Sequence, residues 1–379
     1  MSGRAPIYLD CHATTPVDPR VLAAMLPYFT DVFGNAASTG HAFGSAALDA
    51  VQAARTKIAA ALRAQPDEIV FTSGATESDN LAIKGVAFQH PSGHIITAAT
   101  EHKAVLDPCR MLVAHGYRVT VLPVDGEGRI DLDDLERAFQ PDTLLVSLMH
   151  GNNEIGTVHD IAAIAARCRA RGVLCHTDAT QTIGRLAFDV DALGVDLASF
   201  TGHKMYGPKG AGGLYVRRGV SLLPLFEGGG HERGLRSGTL NVPGIVGLAE
   251  ALSIADAELA TDAAHTSALR DRLWTALREA APGVRLTGVD PSIDPDHRLP
   301  NNLHVTLDGE EADRVSMALV DVACSTRSAC TSGAAGPSHV LEALGHPGDG
   351  TTLRFGLGRF TTDVEIARVT AGLHDAARA

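Results

Sequence analysis

Lysine is scarce in this chain. Only Lys57, Lys84, Lys103, Lys204 and Lys209 occur in 379 residues, and arginine supplies the rest of the 32 basic side chains. Lys204 stands in "FTGHKMYGPKGAGG", between a short apolar run and a glycine-rich stretch, where an amine rather than a guanidinium is called for. Long apolar runs are also missing. None approaches the roughly 18 residues of a membrane span, and "MSGRAPIYLDCHATTP" at the N-terminus lacks a secretory signal's apolar stretch. A cytoplasmic location away from membranes is therefore expected. There is no surplus of basic charge, since the formal net charge is −12, which argues against direct nucleic acid binding. Six cysteines in so long a chain make no disulfide scaffold, and without a C-x-x-C pair no metal site is expected. Neither G-x-G-x-x-G nor G-x-x-x-x-G-K-[ST] follows a strand, which weakens a dinucleotide or nucleoside triphosphate reading. Internal repeats and low-complexity tracts are absent.

What is present reads as a globular α/β protein. The length exceeds the roughly 250 to 300 residues at which one core stops growing, so two domains, or one large domain with an appendage, are expected. Seven short β-branched runs predict strands: 68–72, 94–98, 117–122, 143–148, 173–178, 195–200 and 212–216. Alanine-rich segments at 43–64, 76–89, 102–115 and 159–171 predict helices between them, so the sheet carries helices on both faces and binds ligands at strand carboxyl ends. After about residue 258 the texture changes. A long helical segment at 264–280, a strand in "LPNNLHVTL", a strand in "TTLRFGL" and a last helix predict a smaller α+β domain.

Asp178 ends one predicted strand, and Lys204 follows the next 26 positions later, so both reach one cleft at the same sheet edge. By themselves the two could form a buried ion pair. In "FTSGATESDN" a strand runs through Gly74 into a helix beginning near Thr76, and such a helix N-terminus suits a phosphate. His102 begins another helix near this edge, and the amides Asn152 and Asn153 follow another strand. An amine, a carboxylate and a phosphate seat are the parts that pyridoxal 5'-phosphate requires. Cys330 lies in "CSTRSACTSGAAGPSHV", whose small polar residues predict an exposed loop, and Arg327 nearby favours its thiolate. An idle surface thiol is the plain alternative.

The motifs "YLDCHATTPVDPRV", "FTSGATESDNLAIKG", "TEHKAVLD", "MHGNNEIGT", "HTDATQTIG", "GHKMYGPKGAGGLYVR", "LRSGTLN", "SACTSG" and "LRFGLGRFTT" run in order over nearly the whole chain. Together they resemble the cysteine desulfurase family, class-V aminotransferase-like, in its nitrogen-fixation and iron-sulfur-cluster branch. The resemblance implies a fold type I pyridoxal phosphate enzyme. Its large domain, residues 16–258, would hold a seven-stranded mainly parallel sheet flanked by helices, and residues 1–15 and 259–379 would form the small domain with the cysteine loop. It implies a homodimer that converts L-cysteine to L-alanine and passes sulfur through an enzyme persulfide to a sulfur-acceptor protein. By motif, Lys204 would carry the cofactor, Asp178 would face its ring nitrogen and His102 would stack on the ring. Ala75, Thr76, Thr201 and His203 would hold the phosphate, with Thr239 reaching over from the neighbouring subunit, and Gln181 would meet the phenolic oxygen. Asn153 and Arg354 would grip the substrate carboxylate, and Cys330 would accept the sulfur. The rival readings are a selenocysteine lyase or aminotransferase on the same fold, and a non-catalytic sulfur-relay scaffold.

Three features depart from the family pattern. Cys11-His12 stands where an aromatic or small pair is common, which implies a different site entrance. Arg327 replaces a common glycine. The sequence ends at Ala379 without the longer tail of cluster-assembly members, so a different partner is expected.

Overall fold

The seven β-branched runs form one sheet. In the computed structural model, which describes residues 6–326, 338–346 and 350–378, its spatial order is Ile69–Thr72, Gly212–Val216, Leu197–Thr201, Leu174–Asp178, Thr143–Ser147, His94–Ala98 and Arg118–Leu122. Pairing is parallel from Arg118–Leu122 through to Leu197–Thr201. Only Gly212–Val216 runs against its neighbours. Strand residues alternate between two cores. Phe71, Ile96, Val146, Cys175, Ala198 and Tyr215 pack with side chains of the helices Ala42–Leu62, Ile161–Arg171 and Val242–Ala257. Val70, Ile95, Leu145, Leu197 and Leu214 pack with those of Ala75–Ala87 and Lys103–Ala114. A sheet covered on both faces reads in sequence as continuous apolar runs, which is why all seven strands are recognisable. The helix Val242–Ala257 is the element that periodicity does not announce. It is buried on nearly every side, so no polar stripe marks it.

A further core lies under a four-stranded sheet ordered Ser325–Thr326, Thr351–Gly356, Asn302–Leu307 and Arg285–Leu286, all antiparallel. The helices Leu259–Ala280, Gly309–Ala318 and Asp363–Arg378 supply Leu273, Leu277, Val315, Ile366 and Leu373 to it. Ile7 and Leu9 join the same core, because Ile7–Tyr8 pairs in parallel with Val322–Ala323. The N-terminal segment thus leaves this core and enters the other, carrying residues 10–15 past the sheet edge where Lys204 lies. Thr15 Oγ1 and the Thr15 N–H both donate to the carbonyl of His203, at 3.0 and 2.9 Å.

The glycines of "GAGG" have a steric purpose. A Cβ on Gly212 would lie 2.6 Å from Gly74 Cα and 2.7 Å from the Phe200 carbonyl oxygen, so the turn at Gly74 rests directly on this strand. Gly74 itself has φ +155, within the range that favours glycine, and caps the helix Ala75–Ala87. Gly212→Ala must displace one backbone or the other and is expected to destabilise the fold by about 1–3 kcal/mol. Gly40→Ala, whose Cβ meets nothing within 4 Å, should leave thermal unfolding within the error of the measurement. Equal melting temperatures for the two variants would show that the Gly212 approach carries no constraint.

Candidate active site

Parallel pairing sets Asp178 beside Ser199 in the neighbouring strand. Two residues further on, at Thr201, that strand ends in a single helical turn, Gly202–Lys204. Asp178 and Lys204 therefore emerge at one edge of the sheet and line one cavity of about 210 Å³, together with Gly74, Ala75, Thr76, His102, Asn153, Gln181, Thr201 and His203. The other lysines are elsewhere: Lys103 and Lys209 are exposed, and Lys57 is paired with Glu250 at 2.9 Å. Lys204 Nζ donates to the backbone carbonyls of His12 and, at 2.9 Å, Ala13.

One end of the cavity is an anion seat. With glycine at its N-cap, the helix Ala75–Ala87 has no side-chain cap, so its first N–H groups and the positive end of its dipole face the cavity. Glu77 at the third helical position accepts from the Ser73 N–H at 2.8 Å, and Arg236 Nε donates to it at 2.9 Å. That ion pair fixes the turn. Its sequence signal was a glutamate three residues after the cap glycine, although the N–H it accepts from is that of Ser73, one residue before the cap. Thr201 and His203 flank the seat. The His203 Nδ1 lies 3.2 Å from Thr14 Oγ1, and burial, with Lys204 and then Lys209 nearby, pushes the imidazole down to about 4.

Behind Asp178 lies a group of buried residues that sequence reasoning did not pick out. Asp178 Oδ1 accepts from the Thr180 N–H at 2.9 Å. Asp79 is fully buried, and burial first, then the Asp178 charge, hold its carboxyl well above the usual carboxylate range. Burial raises Glu101 in the same way, although its Oε1 accepts from the Met149 N–H at 2.7 Å. His176 Nε2 is 3.7 Å from Asp79 Oδ1, and burial pushes His176 down to about 3, so burial disfavours the charged form of both members of this contact. The serine hydroxyls of Ser147 and Ser199 satisfy both His176 nitrogens, at 2.8 and 2.9 Å.

The remaining predicted residues divide. His102 caps the helix Lys103–Ala114, its Nδ1 accepting from the Ala104 N–H at 3.1 Å, and its ring lines the cavity. The two adjacent amides take different tasks. Asn152 is tied to Thr100, Glu154 and Ile155 and holds the turn, whereas Asn153 lines the cavity. Arg354 is buried just behind Asn153, donating to the Asn153 carbonyl at 3.0 Å, to Asp10 at 2.9 Å and to Ser325 Oγ at 2.9 Å. Thr239 is exposed and does not line this chain's cavity. Cys11 and His12 are 3% and 1% exposed, so this pair lies beneath the site and does not form its entrance, as the sequence had implied. The reason is the N-terminal crossing, which threads residues 10–15 between the two cores. Cys330 and Arg327 lie outside the described residues. The residues on either side of that segment are anchored near the cavity: Ser325 donates to Asp10 at 2.9 Å, and Ser338 to Glu154 at 2.6 Å.

These residues fit pyridoxal phosphate. The uncapped helix N-terminus suits its phosphate, and Asp178 and Lys204 share its cavity. Thr180 Oγ1, shut off from solvent, has no hydrogen-bond partner among the described residues. Asp79→Asn tests the electrostatics beneath. A raised carboxyl pKa contributes stability that is complete below the unfolded value of about 3.9 and is lost as pH rises through the folded value. An amide mimics the neutral acid without that loss. Thermal melts from about pH 4 to about pH 9 should show the variant gaining on the wild type as pH rises, by about 1 kcal/mol or more at the alkaline end. A variant that falls further behind with rising pH would mean that the ionised carboxylate is the native form.

Comparison with known proteins agrees with this geometry. The aminotransferase class-V family model matches residues 7–369. The cysteine desulfurase IscS of Anaeromyxobacter dehalogenans (strain 2CP-C) is 52% identical over 369 residues, covering 96% of this chain and 90% of the relative. A solved NifS-like protein superposes with a TM-score of 0.87 at 38% identity, covering 98% of each chain. The structure described as SspA in complex with cysteine gives a TM-score of 0.83 at 38% identity, over 94% of this chain and 100% of that one. With the matched family spanning the cores of both the seven-stranded and the four-stranded sheet, and the lysine, the carboxylate and the uncapped helix meeting in one cavity, the chain belongs to the cysteine desulfurases of the class-V aminotransferase family.

Proposed function

We propose that this chain converts L-cysteine to L-alanine, using pyridoxal phosphate held at Lys204 and taking the sulfur as a persulfide on Cys330. The observation that carries the reading is the meeting of Lys204, Asp178 and an uncapped helix N-terminus in one cavity. The cysteine held by the SspA neighbour supports the substrate class over a selenocysteine lyase, an aminotransferase or a scaffold without chemistry. When bound, the cofactor supplies an electron sink that labilises bonds at the substrate's α-carbon and, in turn, its Cβ–S bond.

The chain's own residues do the rest. Ala75, Thr76, Thr201 and His203 hold the phosphate, with Thr239 contributed by a neighbouring copy of the chain in a homodimer. Its exposure, and the fact that it does not line its own chain's cavity, support that assignment. The Asp178 carboxylate keeps a proton on the ring nitrogen, Gln181 meets the phenolic oxygen, and His102 packs against the ring. Asn153 and Arg354 take the substrate carboxylate. Arg354 Nε is buried without a hydrogen-bond partner among the described residues and supplies a donor there. Lys204 Nζ, once free, removes the proton from the substrate Cα.

Cys330 thiolate then attacks the substrate sulfur. A sulfur–sulfur bond forms as the Cβ–S bond breaks, the electron pair goes to the substrate carbon skeleton, and protonation at Cβ completes alanine. Cysteine plus enzyme thiol becomes alanine plus enzyme persulfide, which a sulfur-acceptor protein unloads. The other thiols are poor candidates. Burial pushes Cys11 and Cys324 up to about 11 and Cys109 up to about 12, and a hydrogen bond with Cys168 followed by burial raises Cys175 well above its usual range. Cys168 is fully buried. We also divide the chain into a large domain of residues 16–258 and a small domain of 1–15 and 259–379. The separate core beneath the four-stranded sheet, which includes Ile7 and Leu9, supports this division. No helix among the described residues is long and apolar enough to cross a membrane, which supports a cytoplasmic setting.

Lys204→Ala should lose the covalently attached cofactor and about 10²–10⁴-fold or more in alanine formation. Borohydride reduction of the wild type followed by peptide mapping should place the cofactor on Lys204. A label on Lys103 or Lys209 would reject the assignment. Cys330→Ser should still bind cofactor and still change its absorbance when cysteine is added, while alanine and sulfide release collapse, because an alcohol is a far weaker nucleophile toward sulfur. Persulfide found on Cys324 by mass spectrometry, with Cys330 unmodified, would overturn the sulfur route.

A further inference from the structure

His12 was left unexplained by the reaction, and its surroundings give it a task. The ring is 1% exposed. Its Nδ1 lies 3.0 Å from Gln181 Oε1, while Gln181 Nε2 donates to the backbone carbonyl of His12 at 3.1 Å. A carbonyl can only accept. The amide nitrogen of Gln181 must therefore face the His12 carbonyl, and the amide oxygen must face Nδ1. An amide oxygen also only accepts, so Nδ1 must carry the proton. The network thus fixes both the orientation of the glutamine and the tautomer of the histidine.

The charges around the ring keep it in that state. Arg185, Arg354 and Lys204 all face it, and burial first, then these cations, lower its pKa well below the ordinary value. A neutral ring has one N–H, and Gln181 claims it. Nε2 is left buried with no hydrogen-bond partner among the described residues. The same strand of backbone serves Lys204, whose Nζ donates to the His12 and Ala13 carbonyls. Gln181 lines the cavity beside Lys204 and Asp178. Of its two amide hydrogens, one is spent on the His12 carbonyl, and its oxygen is spent on Nδ1.

We infer that His12 is a positioning residue that locks the Gln181 amide through a two-point contact, leaving the second Gln181 N–H as a fixed donor toward the phenolic oxygen of bound pyridoxal phosphate. This rests on the assignment of Gln181 to that oxygen. A donor held in place favours the ionised phenolic oxygen and hence the form of the cofactor that absorbs in the visible. A glutamine free to flip would present oxygen as readily as nitrogen and would repel the same atom. The His12 carbonyl persists in any variant at this position, so the part of the lock that substitution can remove is the contact of Nδ1 with the amide oxygen. Asparagine places an amide nitrogen close to the position of histidine Nδ1 and can replace it, whereas phenylalanine keeps ring volume but has no donor.

The test compares wild type, His12→Phe, His12→Asn and Gln181→Ala as holoenzymes. Two quantities are measured for each: affinity for pyridoxal phosphate by equilibrium dialysis, and the pH midpoint of the bound cofactor's visible absorption band. His12→Phe and Gln181→Ala should each weaken retention about tenfold, the equivalent of one lost hydrogen bond of about 1.4 kcal/mol, and both should move the midpoint upward. His12→Asn should restore most of both. If Gln181→Ala shifts both quantities while His12→Phe shifts neither, the lock is overturned and the glutamine assignment stands. If Gln181→Ala shifts neither, the glutamine assignment falls and the lock with it. Should His12→Phe fail to fold, nitrogen-15 histidine spectra of the wild type decide the matter, since the inference requires His12 to be neutral and protonated at Nδ1. A proton on Nε2 would overturn it.

Discussion

The pairing of Leu174–Asp178 with Leu197–Thr201 is the constraint on which the site depends. Parallel strands in register end at the same edge, so two residues 26 positions apart in sequence are delivered to one cavity without any long loop to position them. The strand Gly212–Val216 runs the other way and returns its glycines to that edge, where the absence of side chains lets the Gly74 turn rest on it. Backbone geometry alone thus sets the spacing between anion seat, carboxylate and amine. Such placement on regular elements is more precise than loops allow, and catalysis is steeply sensitive to precision.

Beneath that edge burial works against charge on several titratable groups. His12, His176 and His203 are all lowered, chiefly by burial, and Asp79 and Glu101 are raised by it. In such surroundings a charge that develops near Asp178 or Lys204 is poorly screened by its neighbours, which strengthens the electrostatic influence of the few groups that are ionised. Two nearby arginines are instead paired with carboxylates. Arg354 is held by Asp10, and Arg359 by Asp18 and Asp262.

Much of this was legible from the sequence, and for identifiable reasons. The seven strands showed themselves because both faces of the sheet are buried, and Asp178 and Lys204 because each follows such a run. Gly74 and Thr76 marked the anion seat through small residues at a strand-to-helix junction. The helix Val242–Ala257 escaped because it is apolar all round, and Asp79 escaped because its helix gives no hint that it points at the sheet from beneath. The expectation that Cys11 and His12 shape the site entrance fails for a related reason. Their pattern is local, while their environment comes from a chain crossing that joins Ile7–Tyr8 to Val322–Ala323, more than 300 residues away in sequence.

If Cys330 takes the sulfur as proposed, the anchors at Ser325 and Ser338 set a geometric limit on its delivery. Cys330 is five residues beyond one and eight before the other. An extended chain covers at most ~3.3–3.6 Å per residue, so the Cα of Cys330 lies within roughly 18 Å of that of Ser325, and its thiol at most one side chain further. Any acceptor must bring its own receiving atom inside that sphere. The spacing in sequence is thereby a filter on partner shape under that route: a protein whose reactive group is recessed beyond this reach is excluded before any chemical preference is expressed.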